Sequence, residues 1–77
     1  MDVREAAATL RAAHVADGYY WIEGVHEPTP TPPDFVYLRA TGDGAWEVGI
    51  YERGTRHPLA RHTDEATACA HLLHQLT

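Results

Sequence analysis

No lysine, serine or asparagine occurs anywhere in the 77 residues. All six basic side chains are arginine, so Schiff-base chemistry and a phosphate-binding Walker loop have no lysine to use, and a serine triad has no nucleophile. One cysteine, Cys69, excludes an internal disulfide and any CxxC zinc or redox motif. No apolar run is long enough to span a bilayer, and Met1-Asp2-Val3-Arg4-Glu5 lacks the basic and apolar regions of a signal peptide. The expected compartment is therefore the cytoplasm.

What is present is one small domain's worth of chain, 1–77, with a formal charge of −5. A chain this short buries only about 60% of its unfolded surface, so its core is small and a partner often adds stability. The negative charge disfavours nucleic acid and suits a basic protein surface.

Residues 2–16 predict a helix. Asp2 serves as its N-cap or a first-turn acid, Val3, Ala7, Leu10 and Ala13 or His14 form a narrow apolar face, and Asp17-Gly18 is the stop. Tyr19–Glu23 is rich in residues that suit a pleated surface and predicts a strand, with its inward parity open. Between Val25 and Asp34 the prolines 28, 30, 32 and 33 remove backbone donors and predict a stiff, extended connector.

Phe35–Ala40 and Ala45–Glu52 predict a hairpin. Val36, Leu38 and Ala40 alternate on one strand, and Trp46, Val48 and Ile50 on the other. Only a three-residue Gly42-Asp43-Gly44 loop lets the two apolar sets face each other; a two-residue loop would set Arg39 against Val48. The same register puts Arg39 opposite Glu47, Tyr37 opposite Gly49 and Phe35 opposite Tyr51. Arg53-Gly54 turns the chain into an edge strand, Thr55–Arg61, which contains Pro58 and is expected to bring Leu59 near Val48. Thr63 is the expected cap of a closing helix whose stripe is Ala66, Cys69, Leu72, Leu73 and Leu76. The predicted fold is α+β: α-β-β-β-β-α, an antiparallel three- to four-stranded sheet with both helices on one face.

Chemistry-bearing clusters are sparse. Six histidines include His71 and His74 near the end of the chain, but no third ligand stands at zinc-site spacing, so no metal is assigned. Cys69 lies on an apolar stripe, where a thiol behaves as a small hydrophobe. Glu47 and Glu52 face opposite sides of one strand, and no useful pocket is expected beneath so small a sheet. The expectation is a non-enzyme without cofactors. The helix–sheet–helix order invites comparison with double-stranded RNA-binding domains, but Thr63-Asp64-Glu65 would repel phosphate where those domains place lysines.

The face opposite the helices is expected to expose Tyr37, Arg39, Glu47 and Tyr51, with Arg53 and one or more of Tyr19, Tyr20 and Trp21 nearby. Tyr, Trp and Arg are the types enriched at interface hot spots. Asp34, Glu47 and Glu52 are the electrostatic candidates, Tyr37 and Tyr51 the anchors.

The run Trp46-Glu47-Val48-Gly49-Ile50-Tyr51-Glu52-Arg53-Gly54, followed by Thr63-Asp64-Glu65-Ala66-Thr67-Ala68-Cys69-Ala70-His71-Leu72-Leu73, resembles the C-terminal half of small immunity proteins of bacterial polymorphic toxin systems. Those proteins share an aromatic-rich strand, a Glu-Arg-Gly turn and an acidic-start closing helix with an Ala-Cys-like pair. Tyr20–Glu23 is similar to their first strand. The resemblance implies an antitoxin-like protein that binds and blocks a cognate toxin. The alternative is a small structural adaptor, or an accessory subunit, that homodimerises through the same face.

Overall fold

The computed structural model describes residues 1–77. The first helix, α1, covers Val3–Ala12 and begins in a reciprocal capping box. Asp2 Oδ1 accepts the Glu5 N–H at 2.9 Å, and Glu5 Oε1 accepts the Asp2 N–H at 3.2 Å. Its end comes earlier than Asp17-Gly18. His14 takes a left-handed φ of 61°, its N–H bonds Arg11 O, and Val15 N–H bonds Leu10 O. That pair of bonds is a Schellman stop, with a histidine where glycine is usual. The inward residues are Ala6, Ala7 and Leu10.

A single 3₁₀ turn, Asp17–Tyr19, leads into β1, Tyr20–Ile22. Tyr20 and Ile22 point into the core and Trp21 points away, which settles the strand's parity. The other strands are β2 (Asp34–Ala40), β3 (Trp46–Glu52) and β4 (Thr55–His62), arranged in the order β1-β2-β3-β4.

The sheet is mixed rather than purely antiparallel. β1 runs parallel to β2, with Tyr20, Trp21 and Ile22 beside Val36, Tyr37 and Leu38. The connection 23–33 explains the reversal of expectation. It folds back at once, with Ile22 N–H bonded to His26 O at 2.9 Å, and then proceeds through its prolines. The prolines do not keep it extended throughout, and the Thr29–Pro30 bond is cis, but the eleven residues 23–33 are enough to return past a three-residue strand and re-enter the sheet from the same end.

The β2–β3 hairpin has the register that alternation predicts. Ala40 pairs with Trp46, Leu38 with Val48, Val36 with Ile50, and Arg39 with Glu47. Thr41 N–H closes the loop on Ala45 O at 3.0 Å, and Gly44 sits at φ 86°. Between β3 and β4, Arg53 and Gly54 both have positive φ, the backbone of a tight type I′ turn.

Leu59 does not reach the core. The ladder shifts between Val48, which pairs with Ala60, and Gly49, which pairs with Pro58, so Leu59 is the extra residue of a bulge and stands 47% exposed. Pro58 has no N–H to keep the ladder in step, and the bulge falls beside it.

The closing helix, α2, covers Glu65–Leu76 and is capped by Asp64 rather than Thr63. Asp64 Oδ2 accepts both the Thr67 N–H, at 2.9 Å, and its hydroxyl, at 2.8 Å; these bonds hold the carboxyl below its usual range. Packed against the sheet and α1, it buries Ala68 beside Cys69 and Leu72 and leaves Ala66 exposed. Small residues from both helices (Ala6, Ala7, Ala68 and Cys69) join Leu10, Leu72 and the sheet residues Tyr20, Ile22, Leu38 and Val48 in one cluster. Side chains that short let two helices lie close together on one face of the sheet. Val3 N–H also donates to Glu65 Oε2 at 3.0 Å, tying the two helix starts together. No helix is long and apolar enough to cross a membrane.

Candidate functional site

Strand parity and register build the face opposite the helices row by row. One row carries Tyr37 of β2 against Gly49 of β3 and Pro58 of β4, with Trp21 of β1 on the other side. The next carries Arg39 against Glu47 against Arg61. Glu23 follows β1 beside Arg39 and donates its N–H to Leu38 O at 3.1 Å. A third row pairs Phe35 with Tyr51 and Tyr51 with Arg56.

Tyr37 is the hinge of this surface, and it is not exposed. It retains only 3% of its accessible area, and Phe35 is buried too. The vacancy left by Gly49 makes this possible: a Cβ at position 49 would fall 2.6 Å from the Tyr37 hydroxyl oxygen and 2.6 Å from His57 O. The Tyr37 ring therefore lies across the glycine and reaches the neighbouring row. Its hydroxyl donates to Glu47 Oε2 at 2.5 Å, and Arg39 Nε donates to the same oxygen at 3.2 Å.

The electrostatics follow. Burial, and then the bond to ionised Glu47, push the Tyr37 phenol up to about 12. The Tyr37 hydroxyl, and then Arg39, hold Glu47 below the ordinary carboxylate range despite partial burial. The Arg56 guanidinium lies 5.8 Å from the Tyr37 ring centroid, on the cation-attracting aromatic face. Trp21 stacks on Phe35 (centroids 5.2 Å, 19°), and Phe35 on Tyr51 (4.7 Å, 9°), which fixes three rings in a row across three strands.

Between these rings, the arginines and the returning loop lies a cavity of about 270 Å³. Glu23, Glu27 and Thr31 supply its loop side, and Arg39 and Arg56 line it from the sheet. Sequence reasoning expects no useful pocket under so small a sheet; this one is on the sheet, and the proline-rich loop builds part of its wall. Glu27 is held there through Oε2, which accepts the Gly24 N–H at 2.8 Å.

Of the predicted site residues, Tyr37, Arg39, Glu47 and Tyr51 are brought together. Asp34, Glu52 and Arg53 are not part of that group. Asp34 and Glu52 face each other across β2 and β3 with the parity of the core residues, at the end of the sheet. Two like charges directly opposite are mildly destabilising. Arg53 is the exposed first residue of the β3–β4 turn, and its N–H donates to Pro33 O at 3.0 Å. Near Asp34 a second, more open groove of about 360 Å³ runs over Val36, Ile50 and Leu76. The residues that sequence reasoning leaves out are Glu23, Glu27, Thr31 and Arg56. The three on the β1–β2 side join the face only because β1 is parallel, and Arg56 only because the β3–β4 turn sets it opposite Tyr51.

Metal chemistry has little to work with: no group of three or more His, Cys, Asp or Glu side chains converges. His62 and His71 do meet, Nε2 to Nδ1 at 3.0 Å, and join the end of β4 to α2. Burial, and then the neighbouring His62 and His74, lower the affinity of His71 for a proton. Cys69 is fully buried, and burial raises its thiol to about 11, far from the thiolate a nucleophile needs.

Compared with protein-family models, curated proteins and solved structures, the chain matches none.

Proposed function

We propose that this chain is a non-catalytic binding domain of the immunity type, which captures and blocks a cognate bacterial toxin in the cytoplasm through the face opposite its helices. The observation that carries the proposal is the built cavity on that face. Its rings are stacked and its floor is locked by the Tyr37–Glu47–Arg39 bonds, so a partner meets a surface whose ordering cost has largely been met by folding. Half-buried Trp21 and Tyr51 beside arginines match the composition of interface hot spots. The charge of −5 favours encounter with a basic toxin surface. Nothing in the cluster suits proton transfer near neutrality, with Tyr37 raised to about 12 and Glu47 lowered, and this favours binding over catalysis.

The test is to look for a toxin gene adjoining this one and to copurify its toxin domain with the chain. A stable complex is expected, weakened at least about tenfold by combined Trp21→Ala and Tyr51→Ala substitution in a variant that still melts cooperatively. A toxin domain that does not bind, or binds the double variant unchanged, ends the proposal.

A second reading, self-association through the same face, draws on its charge order. Arg39 and Glu47 alternate across the strands, between Glu23 and Arg61, and such a row can pair with a two-fold copy of itself. Sedimentation of the free protein decides it: a dimer that Tyr51→Ala dissociates supports the adaptor role, and a monomer removes it.

A further inference from the structure

We infer that the cavity on the open sheet face seats one arginine side chain projecting from a basic partner, a refinement that rests on the toxin-binding proposal. Size comes first. At about 270 Å³ the cavity falls just short of the roughly 300–1,000 Å³ typical of small-molecule sites, so a single long side chain suits it better than a cofactor.

The chemistry of the walls then selects the side chain. Of the charges around the cavity, Arg39 and Glu47 neutralise each other at 3.2 Å. Arg56 rests over the Tyr37 ring. Glu23 has no hydrogen bond or ion pair for its carboxylate, and Glu27 commits only Oε2, to the Gly24 N–H. The unspent capacity on the loop side is therefore carboxylate oxygen, the natural acceptor of a guanidinium's paired N–H donors. The stacked rings of Trp21, Phe35 and Tyr51 line the cavity with aromatic carbon, against which a flat, weakly hydrated guanidinium packs better than a strongly hydrated ammonium.

Other occupants fit less well. An acidic side chain could pair with Arg56, but it would approach a molecule of charge −5 and settle between Glu23 and Glu27. An aromatic side chain would fill the space while stripping water from those two carboxylates without replacing its hydrogen bonds.

The probe is a capped tripeptide, acetyl-Gly-Arg-Gly-amide, titrated into the isotope-labelled protein beside its Glu and Phe counterparts and followed by NMR. The Arg peptide is expected to shift the Trp21 indole and Tyr51 signals saturably, and to bind about tenfold more tightly than either control. In the E23Q/E27Q double variant that preference should vanish with the melting temperature unchanged, whereas R56Q should leave the Arg affinity equal or higher. Equal affinity for the three peptides, tighter binding of the Glu peptide, or Arg binding indifferent to E23Q/E27Q overturns the inference. The toxin assay separates the two proposals. A toxin domain that binds wild type and E23Q/E27Q equally well preserves the immunity function and removes the arginine seat. An Arg peptide that saturates Trp21 while no toxin binds does the reverse.

Discussion

Both faces of the sheet bury side chains, but by different means and to different degrees. On one face, helices laid on small residues cover Tyr20, Ile22, Leu38 and Val48. On the other no helix is present, and the side chains cover one another: Tyr37 folds down over Gly49, Arg56 lies over Tyr37, and three rings stack from β1 to β3. The helix-covered face is a core, replaceable only by other shapes of equal volume. The self-covered face buries Phe35 and Tyr37 yet keeps accessible polar groups and a cavity. A 77-residue domain can thus present a preorganised surface without a second layer of structure.

Substitutions can break or sharpen that contrast. The largest loss is expected on the helix-covered face. Leu72→Ala leaves a void among fully buried neighbours and should cost about 2–5 kcal/mol in urea unfolding. A cost below one would mean that the helices are not what holds the sheet.

Next comes Gly49→Ala. The new methyl group collides with backbone at His57 O as well as with Tyr37, so a cost of about 1–3 kcal/mol is expected, with Tyr37 displaced into solvent. Adding Tyr37→Ala should recover only the part of that cost due to the ring, because the His57 contact remains. A double variant no better than the sum of the single ones would show that the ring does not depend on the glycine.

Tyr37→Phe keeps the ring and deletes its bond to Glu47, with an expected cost of about 1–2 kcal/mol. The same bond gives a pH signature. The folded phenol is raised from 10.0 to about 12, so the fold holds this proton more tightly than the unfolded chain does. Its stabilisation is complete below pH 10 and drains away as pH rises through about 12. Denaturation followed across that range should show a smaller loss in Tyr37→Phe than in wild type, the remainder in both coming from Tyr20 and from the buried Cys69 thiol, which are raised as well. The smallest effect belongs to Arg56→Gln, which removes an exposed cation from the ring face at about 0.5–1 kcal/mol. It should leave the fold intact and alter only how the cavity is lined.

The sequence already contained much of this. Alternating Val36, Leu38, Ala40 and Trp46, Val48, Ile50, together with two glycines around Asp43, specify the β2–β3 register, because any one-residue slip turns apolar side chains to solvent. The opposition of Tyr37 and Gly49 was legible from that register as well. Its consequence was not, since strand spacing does not say that a ring will lie flat over a missing side chain and become buried. The caps shifted by small steps. Asp64 outcompeted Thr63 because its carboxylate accepts two bonds from Thr67, and His14 stopped α1 before Gly18 could.

Local pattern, then, determined the hairpin, the two helices and which residues of β2 and β3 face them, because each depends on neighbours within a few positions. Tertiary structure decided the rest. The parallel course of β1 depends on where the proline-rich loop returns, the loss of Leu59 from the core on a bulge beside Pro58, and the cavity on Glu23, Glu27 and Arg56 arriving from separate parts of the chain. These are meetings between residues far apart in sequence, and no local periodicity encodes them.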